Sequence, residues 1–92
     1  MEKQEEFIKI LGSKATLSIL QILSRKEKVR YKQMQQFVNT HTLNTRLKEL
    51  LGYELIEHHI VREDTRKEWY EPTERGKKVL TLLNELTSMV DC

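Results

Sequence analysis

Short polar side chains gather at the start of a helical segment that spans residues 40–51. Thr42, Asn44 and Thr45 can donate and accept hydrogen bonds, and they are small enough to let the backbone approach a partner closely. Side chains of this kind read base edges when a helix lies in the major groove of a duplex. We therefore expect Thr42, Asn44 and Thr45 to contact bases, with simple surface exposure as the alternative.

Basic side chains surround this segment and indicate contacts with phosphate. The net charge is only +2, but residues 25–48 hold seven Lys and Arg against one Glu. Such a cluster favours the DNA backbone, with a solvated surface as the alternative. For Arg46 we favour a phosphate contact over pairing with Glu49 or Glu54, and for Lys48 phosphate and base contacts both stay open. The other candidates for contact with the duplex in this region are Arg30, Lys32, Thr40 and His41.

The histidines form no recognisable catalytic or metal-binding set. His58 and His59 are adjacent, so a strand sends them to opposite faces, where they cannot ligate one ion together. His58 shares a face with Ile56 and Ile60, which predicts a partly buried structural histidine. There is no glycine-rich phosphate loop and no Ser-His-Asp set at meaningful spacing. The sequence therefore predicts neither an enzyme nor a metal or cofactor site, and Trp69 is expected to pack within the fold.

Buried leucines position the polar face of the 40–51 segment. At about 100° per residue, Leu43, Leu47 and Leu50 fall within one arc of the helix. His41, Thr45 and Lys48 lie on the opposite arc, with Thr42, Asn44 and Glu49 on the flanks. The leucines are expected to hold the helix against the core and to leave its polar face open.

A shorter helix precedes this segment and completes a helix-turn-helix. It is predicted to begin at Tyr31, and Met34, Phe37 and Val38 recur at helical spacing toward the core. Asn39-Thr40 supplies the turn and an oxygen that can cap the second helix. A pair of this kind places its second helix in the major groove of DNA.

A β-hairpin is predicted directly after the helix pair, over about residues 55–71. Leu55–Val61 and Lys67–Glu71 are strand-like, and Glu63-Asp64-Thr65 forms the turn between them. The hairpin would be the wing of a winged helix-turn-helix. Its basic residues, expected in the minor groove or against the backbone, are Arg62, Arg66 and Lys67, although three acidic residues offset them.

Helices are expected at both ends of the chain. Glu2–Leu11 forms the first, Gly12 ends it, and Ser13 can cap the next; Val29-Arg30 is a possible short strand. The final helix, over about 73–90, has a broader apolar face than a small core needs. This face predicts a homodimer, with the protein's own core as the alternative. The residues assigned to the dimer interface are Phe7, Ile8, Leu11, Val79, Leu83, Leu86 and Val90.

Four segments follow one another in an order and spacing that match a known family. They are Gly12-Ser13-Lys14 leading into Leu17, Ile19 and Leu20; Arg30-Tyr31; Asn44–Leu50 with Leu55-Ile56; and Tyr70–Gly76. From about Leu11 to Leu86 the chain resembles the MarR and HxlR type of winged-helix transcription regulators. The resemblance implies a dimer on a palindromic duplex and a wing at 62–67. It also implies that Arg46 and Lys48 match basic positions of the family's recognition helix, at 40–51 here.

The chain departs from this pattern at three places. The family usually has glycine before the Leu-Ile pair, where this chain has Glu54, with Gly52 two residues earlier. Either the recognition helix ends early or Glu54 adopts an unusual backbone conformation. Ala15 replaces an aromatic residue common near the start of the second helix. An N-terminal cysteine, frequent in HxlR-type proteins, is absent, which argues against thiol sensing at that position.

Together these features predict one α+β, mostly helical, winged helix-turn-helix domain over residues 1–92 with a C-terminal dimerisation helix. The expected partner is double-stranded DNA, bound without cofactor or metal by a homodimer in the cytoplasm. No membrane span or secretory signal is expected, and no effector is identified. Cys92 is either a free thiol or an intersubunit disulfide. The rival functions are a protein-interaction module of a transcription assembly and a regulator with a small-molecule pocket at the dimer interface.

Overall fold

The helices and strands follow one another in the predicted order, and the predicted winged-helix fold class is confirmed. The computed structural model describes residues 2–90. Its elements are α1 (Glu2–Leu11), α2 (Lys14–Lys26), α3 (Tyr31–Gln35), α4 (Thr40–Gly52), β1 (Ile56–Arg62), β2 (Arg66–Pro72) and α5 (Glu74–Ser88). Within residues 2–90, no single helix is long and apolar enough to cross a membrane. Helices α1 and α2 reach that length and composition only as a pair bent by 70°.

The core forms where α2 meets α4, α5 and β2. Leu43, Leu47 and Leu50 of α4 are buried, as their spacing predicts, and they pack in the same cluster as Ile19 and Leu23 of α2. Burying such side chains stabilises the fold by about 1.5–3 kcal/mol each. The orientation of α4, and with it the direction of its polar face, is therefore set by the core.

Helix α3 is a single short turn of helix, and this brevity overturns one expectation. Met34 and Val38 are buried as predicted, but Phe37 is 45% exposed, so its assignment to the core was wrong. The helix ends at Gln35, and Phe37 follows in a turn where its amide donates to the carbonyl of Met34. Helical spacing no longer decides which face a side chain occupies once the helix has ended.

The two ends of α4 show how the sequence sets its limits. Asn39 caps the start, because its side-chain oxygen accepts a hydrogen bond from the amide of Thr42 at 3.1 Å. At the other end the helix continues to Gly52 and does not end early. Glu54 instead adopts the unusual backbone conformation, with φ of 59° in the left-handed region.

Strands β1 and β2 form an antiparallel hairpin with residues 63–65 at its tip. Val29 adds a bridge to Tyr70, with backbone hydrogen bonds of 3.0 and 2.7 Å, so the expected short strand is one bridging residue. Beyond Ile56 the hairpin leaves the core, and Ile60 is exposed. His58 therefore contacts side chains of the hairpin and not the core, which differs from the partly buried structural role expected for it.

Helix α5 is fixed to the end of α4 by its first turn. The hydroxyl of Thr73 accepts a hydrogen bond from the amide of Gly76 and donates one to the carbonyl of Glu54. Gly76 lies so close to the backbone of Leu55 that a Cβ atom there would overlap the Leu55 carbonyl oxygen. The Thr73–Gly76 segment thus joins three elements, the end of α4, the start of β1 and α5, at a place where only glycine fits.

Candidate nucleic-acid interface

Helix α4 presents its polar side chains opposite the buried leucines. His41, Asn44 and Lys48 are exposed, and Thr42 and Thr45 are half-buried. The predicted base-reading residues therefore share one accessible face with the predicted phosphate contact Lys48. Within the part of the chain that the structure describes, Lys48 forms no ion pair, so its charge is available to a partner.

Hydrogen bonds on this face already orient some of its side chains. The phenol hydroxyl of Tyr31 donates to the side-chain oxygen of Asn44 at 2.5 Å. The hydroxyl of Thr45 donates to the carbonyl of His41 at 3.0 Å, and that of Thr40 accepts from Gln35 at 3.3 Å. Asn44 therefore keeps its amide N–H groups for a partner, whereas the hydroxyl proton of Thr45 is engaged within the helix.

Arg46 lies in a different environment from Lys48. Its guanidinium forms an ion pair with Glu49 at 2.8 Å, and its side chain is only 25% exposed. This is the pairing that the sequence left open as the alternative to phosphate contact. The positive charge of Arg46 is thus offset within the helix, while Glu54 pairs weakly with Arg75 at 3.9 Å.

The three predicted basic residues of the wing are exposed and lie at the strand ends beside its tip. Arg62 and Arg66 face each other across the last pair of the hairpin, and Lys67 follows. Arg66 also pairs with Glu68 at 3.3 Å. Because Glu63 and Asp64 occupy the exposed turn between these cations, the tip itself has little net charge.

A polar cleft of about 450 Å³, here called the wing cleft, separates the start of α3 from the wing. The side chains that line it with Tyr31 are Arg30, Lys32, His58, Arg66, Glu68 and Tyr70. It brings the predicted phosphate contacts of α3 together with one of the wing. Sequence reasoning missed Tyr31, His58 and Tyr70, because no local pattern shows that positions 31, 58 and 70 meet.

Pairing and burial define the state of the groups inside the wing cleft. His58 is 3.0 Å from Glu68, and its ring stacks on Tyr70 with a centroid distance of 4.5 Å and an angle of 9°. Burial raises the pKa of Tyr70 above its ordinary value, and the nearby Glu68 and Tyr31 raise it further. The Tyr70 hydroxyl therefore stays protonated at neutral pH and can donate a hydrogen bond.

The residues assigned to a dimer interface divide into two groups. Phe7, Leu11, Val79 and Leu83 are half-buried and pack against the chain's own core, and the Phe7 ring lies 4.9 Å from that of Tyr53. Ile8, Leu86 and Val90 are 68%, 62% and 84% exposed. Leu82 and Met89, which also widen the stripe, are exposed as well. We call Ile8, Leu82, Leu86 and Val90 the apolar patch.

Residues 2–90 contain few side chains suited to metal or thiol chemistry. No group of three or more His, Cys, Asp or Glu side chains in this range could hold a metal ion. His58 and His59 point to opposite faces of β1, each bonded to a different glutamate. Cys92, with its predicted disulfide or free thiol, lies outside the described residues.

Comparison with known proteins agrees with this geometry. Residues 10–92 match the HxlR-like helix-turn-helix family. The fold is similar to that of the reduced form of the transcriptional regulator YodB from B. subtilis, with a TM-score of 0.83, 26% identity and coverage of 99% of this chain and 91% of that one. The fold is also similar to that of diamide-treated YodB, with a TM-score of 0.82, 26% identity and coverage of 99% of this chain and 92% of that one. A putative MarR-family transcriptional regulator from Porphyromonas gingivalis has a similar fold, with a TM-score of 0.74, 25% identity and coverage of 91% of this chain and 84% of that one. No curated protein matches the chain.

Proposed function

The chain belongs to the HxlR-like helix-turn-helix family, and we propose that it is a DNA-binding transcription regulator which acts as a homodimer on duplex DNA. The observation that carries the proposal is the exposed polar face of α4, held in place by the buried Leu43, Leu47 and Leu50. A helix fixed by its apolar side and open on a small polar side can enter a major groove. Helix α4 is accordingly the recognition helix.

Base contacts fall to the side chains near the start of α4. Asn44, whose oxygen is engaged by Tyr31, offers N–H donors, which fit the O6 and N7 acceptors of guanine or the N7 of adenine. Thr45 has its hydroxyl turned to a backbone carbonyl and offers its methyl group to a thymine methyl. Thr42 also faces base edges, whereas the neighbouring His41 faces phosphate.

Phosphate contacts position the helix and carry most of the affinity. Lys48 on α4, Arg30 and Lys32 at the start of α3, and the basic residues of the wing serve this purpose. Arg46 contributes less than Lys48, because its charge is already offset by Glu49. In this arrangement the wing lies along the backbone or in the minor groove.

A second copy of the chain covers the apolar patch. Exposure of the aliphatic side chains on α1 and the second half of α5 to water is unfavourable, and a self-complementary contact between two copies buries them. Two recognition helices then enter successive major grooves about 34 Å apart on a palindromic site.

Fluorescence anisotropy of a labelled random duplex, titrated with the protein at several salt concentrations, tests this function. Affinity that falls steeply with rising salt supports duplex DNA as the partner and justifies selecting for the operator. Absence of binding even at low salt contradicts the proposal. The protein-interaction module would then account better for the exposed face of α4.

A further inference from the structure

The wing cleft is suited to hold an anion between two separate elements of the fold. We propose that it binds a backbone phosphate of the duplex and that His58 takes up a proton as it does so. This inference rests on the proposed DNA-binding function and adds a residue and a proton to it. His58 lies on β1, outside the recognition helix, and is not among the basic residues that the sequence singles out.

The charges that face the wing cleft favour an anion. Arg30 and Lys32 approach from the start of α3, and Arg66 approaches from the wing, against the single carboxylate of Glu68. Glu68 is itself held by Arg66 at 3.3 Å and by His58 at 3.0 Å. With a neutral imidazole the lining carries two net positive charges, and with an imidazolium it carries three. Hydroxyl groups of Tyr31 and Tyr70 are the remaining titratable groups.

The surroundings of His58 can accept a protonated ring. Its imidazole lies parallel to the Tyr70 ring, where an aromatic face attracts a cation. Its Nε2 atom already faces a carboxylate oxygen of Glu68. Histidine changes charge near neutral pH, and a phosphate oxygen placed beside it favours the charged form. A bound phosphate adds a counter-charge to a lining in which Arg30, Lys32 and Arg66 outnumber Glu68.

The position of the wing cleft relative to α4 points to the DNA backbone as the source of the phosphate. Tyr31 lines the cleft and donates to Asn44 on the exposed face of α4. A duplex whose major groove receives α4 therefore has the edge of that groove, a phosphodiester strand, beside Tyr31. The same strand can reach the cations of α3 and Arg66 without a change in the fold.

His59 provides a matched control within the same strand. It stacks on Trp69 at 5.4 Å and bonds Glu57 at 3.1 Å, so its local chemistry mirrors that of His58. It lies on the opposite face of the hairpin and does not line the wing cleft. A general effect of histidine protonation on hairpin stability would involve both residues, whereas a phosphate contact involves His58 alone.

The first experiment measures duplex affinity by anisotropy at constant ionic strength between about pH 6 and about pH 8. Uptake of one proton strengthens binding by at most about tenfold for each unit by which pH falls, so wild-type affinity is expected to be about tenfold higher at the acidic end. His58→Gln is expected to lose most of this dependence, and His59→Gln to retain it. His41 on α4 also contributes, so the readout is the portion lost in His58→Gln.

A second experiment follows the His58 imidazole directly by NMR in the wild-type protein, so it does not depend on how the variants fold. Duplex is expected to move its titration midpoint to higher pH by about one unit, whereas that of His59 stays within a few tenths. Inorganic phosphate at millimolar concentration is the comparison. An equal response to inorganic phosphate would assign the cleft to a free anion and overturn the assignment to DNA.

The outcomes separate this inference from the function on which it rests. Duplex binding that has the same pH dependence in wild type and His58→Gln refutes the phosphate contact and leaves DNA binding intact. Equal losses in His58→Gln and His59→Gln refute it too, because they indicate hairpin stability. Absence of duplex binding at every pH and low salt refutes the DNA-binding function itself.

Discussion

At the scale of single residues, Glu54 combines a non-glycine side chain with a positive φ angle. Its φ of 59° lies in a region that glycine adopts readily and that other residues enter at a cost of about 1–2 kcal/mol. Its exposed carboxylate gains only a loose pairing with Arg75 at 3.9 Å. The position is one where the family usually has glycine, so the chain tolerates strain that a single substitution can relieve.

Replacing Glu54 with glycine is expected to stabilise the protein. The gain is about 0.5–1 kcal/mol, because relief of backbone strain exceeds the entropy that glycine adds to the unfolded chain. This corresponds to a rise of about 3–6 °C in the thermal midpoint. Glu54→Ala is the control, since it removes the carboxylate and keeps the Cβ atom. Equal midpoints for the two variants would show that the backbone at residue 54 is unstrained.

Lys48 and Arg46 form a second contrast at this scale, since both lie on α4 but only Arg46 is paired. Lys48→Ala is expected to weaken binding to all duplex sequences alike and to flatten the dependence of log affinity on log salt by about one unit. Arg46→Ala should flatten it less, because Glu49 already offsets that charge. Anisotropy across a salt series measures both slopes. A slope unchanged in Lys48→Ala would remove its phosphate contact.

At the scale of elements, the placement of α4, the proposed recognition helix, depends on the junction where α4, β1 and α5 meet. The hydroxyl of Thr73 donates to the carbonyl of Glu54, and the amide of Thr73 donates to the carbonyl of Leu55. Gly76 lies directly against the backbone of Leu55. These contacts hold α5 against the end of α4 and the start of the wing. The junction therefore fixes α4 and the wing relative to each other.

Gly76→Ala is expected to destabilise the protein by about 3 kcal/mol, because the added methyl group overlaps backbone that cannot rotate away. Chemical denaturation measures the loss. Gly52→Ala is the matched control, since nothing lies within 4 Å of a Cβ atom at that position. It should leave stability unchanged or raise it by up to about 1 kcal/mol through helix propensity. A similar loss in both variants would contradict the close contact at Gly76.

At the scale of the whole molecule, the apolar patch is a surface that the core of one chain does not bury. The first half of α5 packs on the core through Leu80, with Val79 and Leu83 at its edge. The second half extends past the core and leaves Leu86 exposed, and Val90, which follows the end of the helix, is exposed as well. A small domain gains stability by burying such a surface against a second copy.

Leu86→Lys is expected to turn the proposed dimer into a monomer, because it places a charge in the centre of an apolar contact. Sedimentation velocity at several protein concentrations measures the assembly. Ile60→Lys is the control, since Ile60 is also an exposed aliphatic residue but lies on the wing, away from the patch. A wild-type protein that sediments as a monomer at micromolar concentration, or loss of assembly in both variants, would contradict the proposed interface.

Local patterns in the sequence were sufficient for the order of the elements but not for all of their limits, since α3 ends at Gln35 and the side chain of Ser13 does not cap α2. The spacing of Leu43, Leu47 and Leu50 identified the buried side of α4, since each helical turn repeats the same face. Asn39 marked the start of α4, because its side-chain oxygen satisfies the amide of Thr42. At Glu54 the family resemblance left two alternatives, an early end of the helix or an unusual backbone, and the structure has the second. The leucine spacing and the cap at Asn39 act over a few residues, which is why the chain alone determined them.

Tertiary structure decided which distant side chains meet and which apolar ones stay exposed. It placed Tyr31 against Asn44, and His58 opposite Arg30 across the wing cleft. It also divided one continuous apolar stripe on α5 into a buried half and an exposed half, and it turned Phe37 outward where α3 ends. The periodicity of a sequence tells which face of an element is apolar. What that face contacts depends on how far the neighbouring elements extend and on the angles at which they pack.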